Sequence, residues 1–229
     1  MGVQRAGTTW WYELIQEHPD VVRRYPKELH FFNRRATHPD GMTLRKAYWA
    51  YFPRPAGRLV GEWTPDYIHR DSVPKLLAAA APGSKFLVML RDPVERYRSG
   101  IALQKDLWSG RISERIQKRA FVRGFYAEHL ELFFATIPPD RALILQYERC
   151  RQDPAGELSR TYDFLGLDKS FLPNRLDRVR NPSVQRKPEL QPGLHSRLLE
   201  AYEPDVRRLA NMLDGFDLRL WQNFRHLAA

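Results

Sequence analysis

Three stretches of the chain hold reactive residue types at spacings that chemistry can use. In Gly2-Val3-Gln4-Arg5-Ala6-Gly7-Thr8-Thr9 the two glycines stand at the G-x-x-x-x-G spacing of a phosphate loop, and hydroxyls follow where a helix opens. Unpaired N–H groups and the positive end of a helix dipole converge at such a junction, which suits a phosphate. Thr8 fills the place where a nucleotide-hydrolysing loop has its lysine, and the cation comes earlier, at Arg5. Without that lysine, and with no evident acidic partner for magnesium, cleavage of a terminal phosphate is disfavoured. In Lys27-Glu28-Leu29-His30-Phe31-Phe32 a carboxylate and an imidazole adjoin two aromatic rings. The rings read either as core anchors or as apolar walls that raise a carboxylate's pKa toward that of a general base. In the stretch from Leu90 to Ser99 an apolar run stops abruptly at Arg91, and Ser99 follows Pro93 by about two helical turns. Both then reach one anion, with a structural ion pair as the competing reading of Arg91.

The elements that must position these residues follow from hydrophobic periodicity. Trp10, Trp11, Leu14 and Ile15 recur at helical spacing from Thr8 to His18, where His18-Pro19 closes the helix. Val21 to Tyr25 reads as a short strand that delivers the Glu28 stretch beside the loop. Thr37 to Tyr51 reads as a helical excursion, Leu59 to Pro65 as a strand running into a turn, and Ser72 as the cap of a helix stopped by Pro82-Gly83. Lys85 to Leu90 has the pattern of a central parallel strand covered on both faces. Its carboxyl end therefore faces the ligand crevice of an open α/β sheet. Ser113 to Thr136 predicts one long helix and Ala142 to Glu148 a third strand. Pro154 to Leu165 predicts a helix capped by Gly166, Arg180 to Pro188 a cation-rich loop, and Leu194 to Leu213 a closing amphipathic helix. Strands alternating with helices predict an α/β fold over residues 1–229, a single P-loop-like three-layer domain with a central parallel sheet flanked by helices. A loop of this kind hangs from a buried strand of about five residues. Only Met1 to Gln4 precede Arg5, so truncation of that first strand is expected.

The 229 residues are 43% apolar and 12% aromatic, enough for a packed core. Thirty-seven Lys and Arg against 27 Asp and Glu leave a net charge of +10, which favours anionic partners. The cations are scattered and form no basic arm, so an anionic small molecule or a glycan ranks above nucleic acid. A basic RNA-binding module is the bland alternative. The single Cys150 pairs with nothing inside the chain and reads as a buried small hydrophobe. No H-E-x-x-H or similar ligand spacing and no G-x-S-x-G elbow occurs, so no metal is expected. No apolar run approaches the ~20 residues that cross a membrane, and the first residues lack signal-peptide form. A soluble, cytoplasmic protein follows, provided that no upstream piece is missing.

In their order these parts resemble the PAPS-dependent sulfotransferases, which move a sulfuryl group from 3′-phosphoadenosine-5′-phosphosulfate (PAPS) to an acceptor hydroxyl or amine. Arg5-Ala6-Gly7-Thr8-Thr9-Trp10 is similar to the family's phosphosulfate loop, K-x-G-T-T-x. Lys27 to Phe32 is similar to the K-E-x-H-F-F stretch of the heparan-sulfate-type branch. Gly61-Glu62-Trp63-Thr64-Pro65 and Leu90 to Arg96 with Ser99 are similar to its G-E-K-T-P and L-R-(N/D)-P-V-E-R segments. Tyr147-Glu148 and Phe164 to Leu167 match later landmarks.

The resemblance implies that Arg5, Ala6, Gly7, Thr8 and Thr9 hold the 5′-phosphosulfate, while Arg91 and Ser99 hold the 3′-phosphate. It implies that Trp10 stacks on adenine with Tyr147 nearby, a core aromatic being the alternative for Trp10. Arg186, or else Arg180 or Lys187, would close over the donor. Glu28 would take the acceptor's proton as it attacks sulfur in line, with His30 the alternative base. Arg5 stands where the family has a lysine, so its part in stabilising the leaving phosphate is electrostatic. Trp63 replaces the lysine of G-E-K-T-P, which removes a cation from the acceptor side and leaves room for an apolar or aromatic acceptor. The competing functions are a non-catalytic adenine-nucleotide-binding P-loop protein and a nucleotide kinase. The acceptor is a small molecule or a glycan; its identity, O- against N-sulfation and the oligomeric state stay open.

Overall fold

Phe86-Leu87-Val88-Met89-Leu90 carries no polar side chain, and it forms β1 (Phe86–Leu90) with all five residues buried. The computed structural model describes residues 2–23, 27–33, 41–52, 56–103, 112–174, 176 and 188–228. β1 pairs in parallel with β2 (Ala142–Gln146), in a register that runs from Phe86 opposite Ala142 to Leu90 opposite Gln146. On the other edge of β1, Val3 N–H donates to the Met89 carbonyl at 2.9 Å and Met89 N–H donates to the Gly2 carbonyl at 3.0 Å. The start of the chain thus lies against β1 and leads straight into the loop at its carboxyl end.

Helices surround this sheet. α1 (Thr8–Ile15) buries Trp10, Trp11, Leu14 and Ile15 as its spacing predicts. α2 (Gly41–Trp49) and α3 (Val73–Ala80) pack on each other, and α4 (Pro93–Leu103) begins three residues after β1. α7 (Tyr147–Gln152), α8 (Pro154–Leu165) and α9 (Pro192–Met212) follow β2, and two short 3-10 turns at Leu218–Leu220 and Arg225–Leu227 come after α9. Gly166 ends α8 in the left-handed conformation, φ 79°, as expected of a C-terminal cap. One hydrophobic cluster of buried residues extends from Val3 to Phe224. Cys150 of α7 is part of it, and burial pushes its thiol pKa up.

Several elements differ from the reading of the sequence. The expected helix from Ser113 to Thr136 is two, α5 (Glu114–Val122) and α6 (Tyr126–Phe134). A Cβ at Gly124 would meet the Tyr202 ring at 2.6 Å, so the backbone breaks where it is pressed against α9. The expected strand through Glu148 stops at Gln146, and Tyr147 opens α7 instead. The expected strands at Val21 and Leu59 amount to one parallel bridge between those two residues. The helical excursion appears as α2, and residues 34–40 lie outside the described part.

Candidate active site

The loop reverses into α1 through two left-handed residues, Arg5 at φ 73° and Gly7 at φ 85°. Gly7 has a second reason to be glycine: a Cβ there would stand 2.5 Å from the Tyr147 ring. No side chain caps the N-terminus of α1, which leaves its first turn to an outside acceptor. Thr8 is buried, and the Thr9 hydroxyl accepts a hydrogen bond from Lys27 Nζ at 2.8 Å.

The carboxyl end of β1 supplies the opposite wall. Arg5 Nε donates to both the carbonyl and the hydroxyl of Ser99, at 3.1 Å each. Arg91 Nη1 donates to the Arg5 carbonyl at 3.2 Å, and its guanidinium lies 4.7 Å from the centre of the Tyr147 ring. Asp92 holds this corner: Oδ1 accepts from the N–H groups of Val94 and Glu95, and Oδ2 accepts from Asn223 through both its backbone and its side chain. Glu148 sits behind, accepting from Asp92 N–H at 3.1 Å and from Trp221 Nε1 at 3.0 Å. Burial raises the Glu148 pKa to about 7. Burial and then the charge of Arg91 lower the pKa of Arg5. Two guanidiniums brought together in this way are relieved by an anion between them.

Glu28 accepts from Lys27 Nζ at 2.8 Å and lies 3.1 Å from His30 Nε2. Asn33 Nδ2 donates to His30 Nδ1 at 2.9 Å, which leaves the ring proton on Nε2, pointing at Glu28. His30 therefore orients Glu28. Apolar burial is not what surrounds this carboxylate: its side chain is 31% exposed and stands between an ammonium and an imidazole. The backbone beneath is clamped by Glu62, which accepts from Tyr48, Thr64 and Tyr67 hydroxyls and from Leu29 N–H. Thr64 Oγ1 in turn accepts from His30 N–H, where the chain turns through φ 52°.

Arg5, Gly7, Thr9, Arg91, Ser99 and Tyr147 are thus brought together, with Glu28 and His30 joined to them through Lys27. Ala6 is fully buried beneath the loop. Trp10 is 2% exposed, packed edge-on against Trp11 and Tyr147 with Arg151 over its ring, so it forms the wall behind the loop. Trp63, expected on the acceptor side, is 5% exposed and packs against Tyr12 in the core. Arg186, like Arg180 and Lys187, lies outside the described residues. Lys27 and Glu62, to which the sequence motifs assign no role, tie these stretches together through hydrogen bonds and an ion pair.

Three features fit an anionic nucleotide at this junction: the uncapped helix end, the clustered Arg5 and Arg91, and Arg91 Nε, which is buried without a partner. Among the described residues no group of three or more His, Cys, Asp or Glu is placed to hold a metal ion. No helix among them is long and apolar enough to cross a membrane.

A family model described as "Sulfotransferase domain" matches residues 1–193. The chain is 30% identical over 249 aligned residues to human heparan sulfate glucosamine 3-O-sulfotransferase 3B1, covering 99% of this chain and 62% of that protein. It is 29% identical to human bifunctional heparan sulfate N-deacetylase/N-sulfotransferase 3, over 73% of this chain and 22% of that protein. It therefore spans somewhat under two thirds of the 3-O-sulfotransferase. The crystal structure of a sulfotransferase from Alicyclobacillus acidocaldarius superposes with a TM-score of 0.74 and 25% identity, covering 97% of this chain and 96% of that one.

Proposed function

The chain belongs to the sulfotransferase family, and from that premise we propose that it transfers a sulfuryl group from PAPS to a hydroxyl or amine of a glycan or small-molecule acceptor. When bound, the donor supplies an electrophilic sulfuryl group and a bisphosphate leaving group. Arg5, Ala6, Gly7, Thr8 and Thr9 hold its 5′ end on the first turn of α1, and Arg91 with Ser99 holds the 3′-phosphate. Trp10 and Tyr147 back this pocket.

Glu28 takes the acceptor proton. His30 keeps its Nε2 proton directed at Glu28, and Lys27 places an ammonium between Glu28 and the loop hydroxyl of Thr9. Arg5 and Lys27 together stabilise charge that develops on the leaving side, which is where most of the rate of such an in-line transfer arises. The observation that carries this reading is the continuous chain of contacts Thr9–Lys27–Glu28–His30, which sets a base next to a phosphate-type loop.

The test is sulfate transfer from labelled PAPS to a panel of glycan and phenolic acceptors, read beside binding of 3′-phosphoadenosine-5′-phosphate by calorimetry. Glu28→Gln should lower turnover by about 10²- to 10⁴-fold with bisphosphate affinity intact. His30→Ala should cost less than Glu28→Gln; an equal or larger loss would make His30 the base. A protein that binds the bisphosphate no better than AMP, or that consumes ATP with magnesium, would refute the donor assignment.

A further inference from the structure

Asp66 stands one residue past the Gly61 to Pro65 stretch, at the start of a 3-10 turn (Tyr67–His69), and its side chain is only 12% exposed. Three arginines surround it. Arg123, where α5 ends, donates to Asp66 Oδ1 and also to Gln4 Oε1 of the phosphate loop. Arg119 of α5 lies 3.9 Å from Oδ1, and Arg70 Nε donates to Oδ2 at 3.2 Å. A carboxylate paired in this way accepts hydrogen bonds and donates none.

Asp66 Oδ2 accepts one more hydrogen bond, from Asn33 Nδ2 at 3.3 Å, and the same nitrogen donates to His30 Nδ1 at 2.9 Å. With its amide turned over, Asn33 would set its own oxygen against the Asp66 oxygen, acceptor against acceptor. Asp66 thus decides which end of the Asn33 amide faces His30. A ring nitrogen that accepts a hydrogen bond has its lone pair engaged and takes no proton. The consequence falls on Glu28, whose Oε2 lies 3.1 Å from His30 Nε2. An imidazole beside a carboxylate is drawn toward a second proton, and as imidazolium it would neutralise the charge with which Glu28 takes a proton from the acceptor. The charged groups that face this corner are Lys27 and Glu28 on the base stretch, Asp66 and Arg70 on the turn, and Arg119 and Arg123 at α5.

We propose that Asp66 is a positioning residue for the base: through Asn33 it keeps His30 Nδ1 free of a proton. The ring then stays neutral, holds its one proton on Nε2 toward Glu28, and leaves Glu28 charged. Arg123 anchors Asp66 and Gln4 with one guanidinium, so this support is fixed to the phosphate loop as well. The inference rests on Glu28 as the base.

The test is ¹⁵N NMR of the histidine rings, with His30 assigned by comparison with His30→Gln; it needs neither donor nor acceptor. Asp66→Asn can present an NH2 group to Asn33, and Asn33→Ala removes the link while leaving Asp66 among its arginines. At about pH 7 the parent should show a bare Nδ1 and a protonated Nε2, and each variant should show a proton on Nδ1 in a large share of molecules. Turnover should fall about tenfold in each single variant. The double variant should be no slower than the slower single one, because both act through one link. Bisphosphate affinity of Asn33→Ala should stay within about twofold of the parent, which separates a fault in the base from one in donor binding. A proton on Nδ1 in the parent would overturn the proposal, whether or not Asp66→Asn folds. So would a bare Nδ1 in either variant, or losses that multiply in the double variant. Should Glu28→Gln leave turnover intact, the base assignment falls, and the ring spectra still decide what Asp66 does.

Discussion

Lys27 touches both halves of the site, donating to Thr9 of the loop and pairing with Glu28 beside it. Arg5, the loop's own cation, is turned to Ser99. The cation nearest the Thr9 hydroxyl and the base is therefore Lys27, which fits the absence of a lysine from the loop itself. Lys27→Met should cut turnover about 100-fold through loss of charge at the reacting end. The same variant should melt within about 1 kcal/mol of the parent, because a partly exposed ion pair contributes little to stability. Steady-state kinetics and a thermal melt on the same preparation check both. Motif reading singled out Glu28, His30 and Arg91 as candidates because each adjoins or ends an apolar run. It did not reach the Glu62 clamp, whose donors come from Tyr48 and Leu29, 14 and 33 residues away in the chain.

β1, α1, α8 and α9 were legible because one periodicity or one uninterrupted apolar run spans each of them. The gap between α5 and α6 was not, since the group that excludes a side chain at Gly124 is the Tyr202 ring on α9. Gly124→Ala should therefore destabilise the fold by about 1–3 kcal/mol through overpacking, lowering the denaturation midpoint, while bisphosphate affinity of the folded protein stays unchanged. Gly7→Ala should differ in kind. The added carbon meets Tyr147 and the residue must hold φ 85°, so the change falls on the loop and on binding. The end of β2 was misread for a related reason: Ala142 to Glu148 is apolar enough to continue a strand, yet Tyr147 and Glu148 are turned to the Gly7 loop and to Trp221.

Across the whole molecule, two buried groups make stability depend on pH with opposite sign. Burial, reinforced by His129 and nearby arginines, lowers the His69 pKa well below 6.5, so His69 is neutral when folded. The unfolded chain binds that proton near pH 6.5, and stability from this residue is complete above that value and falls as the solution is acidified. Glu148 titrates the other way. With its pKa raised from 4.5 to about 7, the folded state holds the proton longer, and stability declines as pH rises between those values. Melting curves from about pH 7.5 to 5 should show His69→Phe losing less stability on acidification than the parent. A parallel fall in both would remove His69 from the acid limb.

Cys150 has a practical consequence for studying all of this. It is the one cysteine in the sequence, fully buried, with its thiolate suppressed by burial. Maleimide reagents should then be blind to the native fold, and the slow labelling that does occur should clock the opening of the core. A single cysteine introduced at the half-exposed Tyr51 should take the reagent within minutes while Cys150 stays silent. The native chain is thus already a background on which one chosen position can carry a dye.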